Sequence, residues 1–274
     1  MVSQWNYFLK NIGTWKGSFT HLSAEGKEIK DTPTVITFEA SSDKQAVHQV
    51  VNYVPKNQPA SKVSVDYTPA SLSRDLIFFE DGSFCRGNSQ WSGYGNFVSE
   101  FGLIERDRRL RTVNIYNNST NLNRIVFIRE KLPDSNTPER PQLKVEDLLG
   151  EWQGEATTIY PDSSEEKISQ SHLKITQKAH DQIEQEISFG NRKITSTAKI
   201  LGSRLLFENS NLPIQILLLP DGGSCNCPLE IKPGYGFVVE LGWLVKPNKR
   251  QRIMRNFDQK GTWISSTFVT EIKI

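Results

Sequence analysis

Charged residues at matched places in the two halves of the chain are the first chemistry that this sequence offers. Glu100, Arg109 and Arg111 lie in the first half, and Glu240, Arg252 and Arg255 in the second. If residues 100–104 pair with 109–113 across a short turn, Glu100 and Arg111 share a face; Lys246 set against Lys249 places Glu240 opposite Arg255. On an outer face such groups form cross-strand ion pairs that contribute little. Turned into a cavity, they must pair with each other or with a ligand, because burying an isolated charge is costly. An inward guanidinium suits the carboxylate of a fatty-acid-like molecule. Alternation leaves both facings open, since Arg111 shares its side with Val113 while Leu110 and Tyr116 lie on the other. Tyr94 and Tyr235, each between two glycines, are further ligand-binding candidates at a barrel mouth. The plainer reading of those glycines is a kink that curves a sheet.

Catalytic signatures are missing. There is no Gly-x-Ser-x-Gly elbow, no His-Glu-x-x-His and no phosphate loop, so the expectation leans away from an enzyme, with a carboxylate pair for acid–base work left open. Cys85, Cys225 and Cys227 form no disulfide framework, and the two-residue step from Cys225 to Cys227 does not suit a zinc half-site. They read as small buried apolar residues. No metal and no cofactor is expected.

The chain has 274 residues, 36% hydrophobic and 23% charged, with a net charge of +2 and interspersed signs. That composition is globular and lacks the concentrated basic face that nucleic-acid binding needs. No apolar run nears the roughly 20 residues that span a bilayer, and Met1 to Gly13 does not follow a signal-peptide plan. A cytoplasmic protein is expected.

The sequence reads twice. Gly13-Thr14-Trp15-Lys16-Gly17 returns 137 residues later as Gly150-Glu151-Trp152-Gln153-Gly154. Asp81-Gly82 returns as Asp221-Gly222, Gly93-Tyr94-Gly95 as Gly234-Tyr235-Gly236, and Arg109-Leu110-Arg111 as Arg250-Gln251-Arg252, at offsets of 140 to 141. Ordered matches with small slips indicate two equivalent halves. Pro133, Pro138 and Pro141 mark a linker, which gives a first domain over 1–132, a linker over 133–144 and a second domain over 145–274.

A short helix is expected before the first strand, with Ser3 as its cap and Trp5, Phe8, Leu9 and Ile12 on one face. Beyond it, period-two runs rich in Val, Ile, Thr, Phe and Tyr predict nine or ten short strands per half. The fold class is therefore all-β: two tandem antiparallel barrels, because closure removes sticky edges.

The Gly-x-Trp behind a short helix resembles the signature of lipocalins and the wider calycin superfamily. That resemblance implies that Trp15 and Trp152 plug the closed ends of the barrels. It also implies that a basic residue on the last strand covers each ring: Lys131 or Arg129 in the first half and Lys273 in the second. A two-barrel chain of this size is similar to a family of cyanobacterial proteins related in fold to phycobiliprotein chromophore lyases. The proximal histidine of nitrobindin-like haem barrels has no counterpart among His21, His48, His172 and His180. The expected function is non-enzymatic binding of a small, largely apolar ligand, fatty-acid-like or tetrapyrrole. A bilin lyase or isomerase-like role, and a scaffold with filled barrels presenting a surface to a protein partner, are the alternatives.

Overall fold

The computed structural model describes residues 4–56, 58–118, 120–162, 164–189 and 192–274; Ser3, the expected helix cap, lies outside them. The chain opens with a helix over Gln4–Phe8 (α1) and a 3-10 turn over Leu9–Asn11. Nine strands follow: Gly13–Ser23 (β1), Glu28–Ala40 (β2), Val47–Tyr53 (β3), Ser61–Tyr67 (β4), Ile77–Phe78 (β5), Phe84–Gly87 (β6), Phe97–Glu105 (β7), Arg108–Asn117 (β8) and Asn121–Lys131 (β9). A one-turn helix over Val145–Leu148 (α2) opens the second half. Ten strands come after it: Gly150–Ile159 (β10), Glu165–Ala179 (β11), Gln182–Phe189 (β12), Arg192–Leu201 (β13), Arg204–Phe207 (β14), Ile214–Leu218 (β15), Gly223–Pro228 (β16), Phe237–Lys246 (β17), Lys249–Phe257 (β18) and Trp263–Lys273 (β19).

Period-two patterning produces the strands. In β2, Thr32, Thr34, Ile36 and Phe38 are buried while the residues between them are less so, as a pleated sheet with one covered face requires. The motif glycines have backbone reasons. Gly13 and Gly150 turn helix into strand at φ of 133° and 112°. A Cβ on Gly17 would stand 1.9 Å from the Arg129 carbonyl oxygen, and one on Gly154 2.4 Å from that of Thr270, so β1 and β10 approach the last strands closely only because both residues lack side chains.

The expected all-β architecture of two barrel-like sheets is what the chain adopts, but the halves close differently. Strands β10 to β19 form a closed barrel, whereas β1 to β9 form a curled sheet in the order β4-β3-β2-β1-β9-β8-β7-β6-β5 that stays open between β4 and β5. Registers locate the cause. Val47 pairs with Tyr67 as Ile183 pairs with Ala198, so Tyr67 and Ala198 are equivalent. Beyond Ala198, β13 continues through Ile200, which pairs with Leu205 of β14. The position matching Ile200 is Pro69. Proline has no N–H to donate and restricts its neighbours, so β4 ends at Tyr67 and the first half has no strand at the place of β14. Helix α1 spans the gap: the Phe8 ring lies 5.2 Å from Tyr67 and 5.1 Å from Phe78. The Gln4 amide donates to the Phe78 carbonyl at 3.0 Å and accepts its N–H at 2.6 Å, imitating one peptide of the strand that is not there.

The halves pack on each other through β6–β8 and β16–β18. Matched residues meet: Phe97 and Phe237 edge to face at 5.6 Å, with Phe257 stacked on Phe237 at 4.6 Å. The isolated bridges Gln90–Thr262 and Asn121–Glu230 are counterparts, so the contact has an approximate two-fold character. The three cysteines are free and buried in this shared core. No described helix is long and apolar enough to cross a membrane.

Candidate functional site: arginine–glutamate clusters and the open mouth of the first barrel

Below each motif tryptophan lies a buried ion cluster. Trp15 and Trp152 are 2% and 0% exposed, and each indole N–H donates 2.9 Å to the carbonyl four residues earlier, of Asn11 and of Leu148. The short helices are thus tied to the strands that follow them. In the first half the Arg109 guanidinium covers the Trp15 ring at 4.5 Å. Its Nε is 2.7 Å from Glu130 Oε2, and Nη1 donates 3.2 Å to the Asn11 side chain. Arg111 reaches Glu130 at 3.4 Å and also pairs with Glu100, whose other oxygen is 3.4 Å from Arg86 Nε. The second half repeats the arrangement. Arg250 covers Trp152 at 5.0 Å and binds Glu271 at 2.9 Å; Arg252 binds Glu271 at 2.9 Å and holds Glu240 through two bonds of 2.7 and 2.8 Å.

Electrostatics favours the ionised forms of Glu100 and Glu271. Burial pushes the Glu100 carboxyl up, but Arg111 and Arg86 pull it further down, leaving it below the usual carboxylate range. Glu271 is likewise pushed up by burial and held down overall by Arg250 and Arg252. Burial lowers Arg109, which Glu130 counters; Arg111 and Arg252 lose to burial and gain more from their two glutamates.

The sequence-based candidates fall out as follows. Glu100, Arg109 and Arg111 come together in the first barrel, and Glu240 with Arg252 in the second. Arg255 does not join Glu240. A bulge between Leu244 and Lys246 shifts the β17–β18 register by one residue even though Lys246 still faces Lys249, so Glu240 pairs with Met254 and Arg255 with Val239. Arg255 therefore points to the contact between the halves. Lys273 stands over Trp152 at 4.9 Å, but neither Arg129 nor Lys131 covers Trp15. Lys16 pairs with Lys131, so the next position, opposite Trp15, is Leu132; there the equivalent residue opposite Trp152 is Lys273. Arg129 instead binds Glu139 at 2.8 Å on the outside. Tyr94 and Tyr235 project from loops, 91% and 42% exposed, and line neither barrel's ion cluster. Glu130, Glu271, Arg250 and Arg86 were not singled out. The repeat contained the signal for the first three, since Glu130 and Glu271 stand 141 residues apart like the arginines they bind.

The open first barrel contains a cavity of about 70 Å³. Phe8, Phe38, Phe78 and Phe84 form its apolar wall, and Gln49, Tyr67, Arg86, Glu100, Arg109 and Arg111 its polar one. It opens between β4 and β5 into a groove of about 500 Å³ bordered by Tyr67, Ser71, Ser73, Asp75, Arg86, Gly87 and Glu100. The second barrel is filled by Leu173, Ile175, Ile183, Ala198, Leu205, Phe207 and Leu218 around Trp152. No group of three His, Cys, Asp or Glu among the described residues could hold a metal ion.

These features define an all-β protein of two barrel-like sheets joined face to face, one closed and one open. By sequence and structure the chain belongs to the DUF3598 family. Residues 1–135 match the profile "Domain of unknown function (DUF3598), N-terminal", and residues 139–274 match "Biogenesis factor required for ATP synthase 1, C-terminal domain". The crystal structure of a DUF3598 family protein from Nostoc punctiforme is 38% identical, covers 100% of both chains and superposes with a TM-score of 0.93. This is the kind of two-barrel family that the sequence resembles. A phycobiliprotein lyase from Guillardia theta is 15% identical, with 47% of this chain and 89% of that chain covered and a TM-score of 0.34. Among curated proteins none matches.

Proposed function

We propose that this chain is a non-enzymatic, cytoplasmic binding protein whose ligand site is the first of its two domains. A small amphipathic molecule enters between β4 and β5, sets its apolar part against Phe8, Phe38 and Phe78, and presents a polar end to Arg86 and the Glu100–Arg111 pair. The observation that carries this reading is the difference between the halves: the same ion cluster sits behind a sealed wall in one and behind an open mouth in the other. Ligand sites are concave, partly apolar and furnished with a few convergent polar groups.

Native mass spectrometry of the full chain purified from its own host tests this. The expected spectrum shows the protein with one small molecule retained; visible absorbance of that species would mark it as a tetrapyrrole. Bare protein under gentle conditions counts against a ligand carrier.

The profile matched by the C-terminal half favours a second reading, a surface that engages a protein partner. Under it the chain aids assembly of ATP synthase, and a pull-down with separate ATP synthase subunits should retain one of them stoichiometrically. Retention of none would remove that reading.

A further inference from the structure

We infer that the mouth of the first barrel is built for a compact anion, a carboxylate or phosphate carried on a small ring, rather than for a long acyl chain. This deepens the ligand-binding reading above and rests on it.

The two halves supply the comparison. In the sealed barrel two arginines, Arg250 and Arg252, meet two glutamates, Glu240 and Glu271. The open barrel has the matching four residues and a third cation, Arg86; the second half has Asn226 at that position. Glu100 is already engaged by Arg111, so Arg86 holds it only through Nε at 3.4 Å. The Arg86 side chain is 52% exposed and borders both the inner cavity and the groove. A surplus guanidinium thus stands where the wall is interrupted, offering the forked donors that bind carboxylate or phosphate.

Asp75 on the groove rim is the charge that opposes this, and it acts electrostatically on a second arginine. Arg255 comes from the other half of the chain and is fully buried. None of its three nitrogens has a hydrogen-bond partner among the described residues. The Trp263 and Phe257 rings cover it at 5.0 and 5.5 Å. Its Nη1 lies 2.7 Å from where a Cβ on Gly87 would stand, and Gly87 borders the groove. Glycine there is what lets the guanidinium come up behind the wall. Burial lowers Arg255, and Cys85 and the Asp75 carboxylate oppose that shift in part. Because guanidinium stays protonated and fields are strong where water is excluded, Arg255 offsets Asp75. The positive surplus at Arg86 remains.

Size selects the rest. The inner cavity of about 70 Å³ is small beside the groove of about 500 Å³ outside it. The groove of about 500 Å³ lies within the roughly 300–1,000 Å³ usual for small-molecule sites. The body of the ligand therefore sits in the groove, and only a small apolar part can enter the phenylalanine-lined end.

Isothermal titration calorimetry of the full chain with benzoate, phenyl phosphate and laurate tests this. Benzoate or phenyl phosphate is expected to bind at one site, and the tighter of the two identifies the anion. Laurate should bind no more tightly than benzoate. Arg86→Gln, a half-exposed change that leaves the packed core alone, should weaken binding about ten-fold or more. Arg255→Met should weaken it several-fold, and the remote exposed change Lys199→Gln should not alter it. Tighter binding of laurate, or wild-type affinity in Arg86→Gln, overturns the inference and leaves the pocket standing. If no probe binds, the molecule retained from the host decides: a compact anion supports the inference, a long-chain or uncharged molecule overturns it alone, and bare protein overturns both it and the ligand-carrier reading.

Discussion

Each half of this molecule places two arginines and two glutamates under a tryptophan, where water is largely excluded. Such clusters are costly to bury but far more costly to break, since removing one partner strands the rest; the expected loss is about 3–5 kcal/mol. Glu271 is the sharpest case, being 1% exposed and shared by Arg250 and Arg252. Its pKa is lower folded than unfolded, so it contributes stability above the unfolded carboxylate value of about 4.3 and loses it as pH falls through the folded value. The wild type should therefore unfold at lower urea concentration as pH drops below about 4.3. Glu271→Gln should already be weaker at pH 7 by about 3–5 kcal/mol, with a flatter acid limb. An unchanged acid limb in the variant would show that Glu271 is not a source of the acid sensitivity.

Among the elements, β5 and α1 depend on each other. A two-residue strand at a sheet edge has little to hold it, and the Gln4 amide supplies both hydrogen bonds at Phe78. Gln4→Ala should cost about 1–3 kcal/mol, the penalty of leaving buried groups unpaired. Hydrogen exchange at the Phe78 amide should speed up while amides of β1 and β2 keep their protection. Equal acceleration across the sheet would mean that α1 is part of the cooperative core rather than a cover over the gap. The sealed half has no such dependence, since β14 occupies the corresponding place.

In the molecule as a whole, the contact between halves mixes locks with a defect. Asp221, fully buried in the second half, accepts from Arg108 of the first at 2.6 Å and from the Arg140 backbone of the intervening segment at 2.7 Å. Asp221→Ala should destabilise by about 3–5 kcal/mol, lowering the midpoint of one calorimetric transition that both halves share. Two separated transitions would show that the lock does not couple them. Arg255 is the defect: a buried charge with ring contacts but no hydrogen-bonded counter-ion among the described residues. Arg255→Met should raise stability, by about 1–4 kcal/mol if it behaves as other buried ionic groups do when replaced by apolar ones. Scanning calorimetry measures this directly, and a lowered midpoint would mean that the guanidinium has a stabilising partner. A gain in stability with a loss of anion affinity would show what the buried charge is kept for.

The sequence by itself determined that there are two halves and that both are β, because repeats and period-two runs are local or internal patterns. Membership of the Glu100–Arg111 pair was also legible, since a short turn sets its register. Facing was not. Strands β6–β8 and β16–β18 are covered on both sides, by a barrel interior and by the other half, so alternation of polar and apolar residues no longer marks inside from outside. One bulge moved Arg255 to the opposite face, and one residue of register put Leu132 rather than Lys131 opposite Trp15. The opening of the first barrel was decided later still. Pro69 shortens a strand, but that this leaves a mouth, and that Arg86 stands in it, follows only when the two edges fail to meet in space.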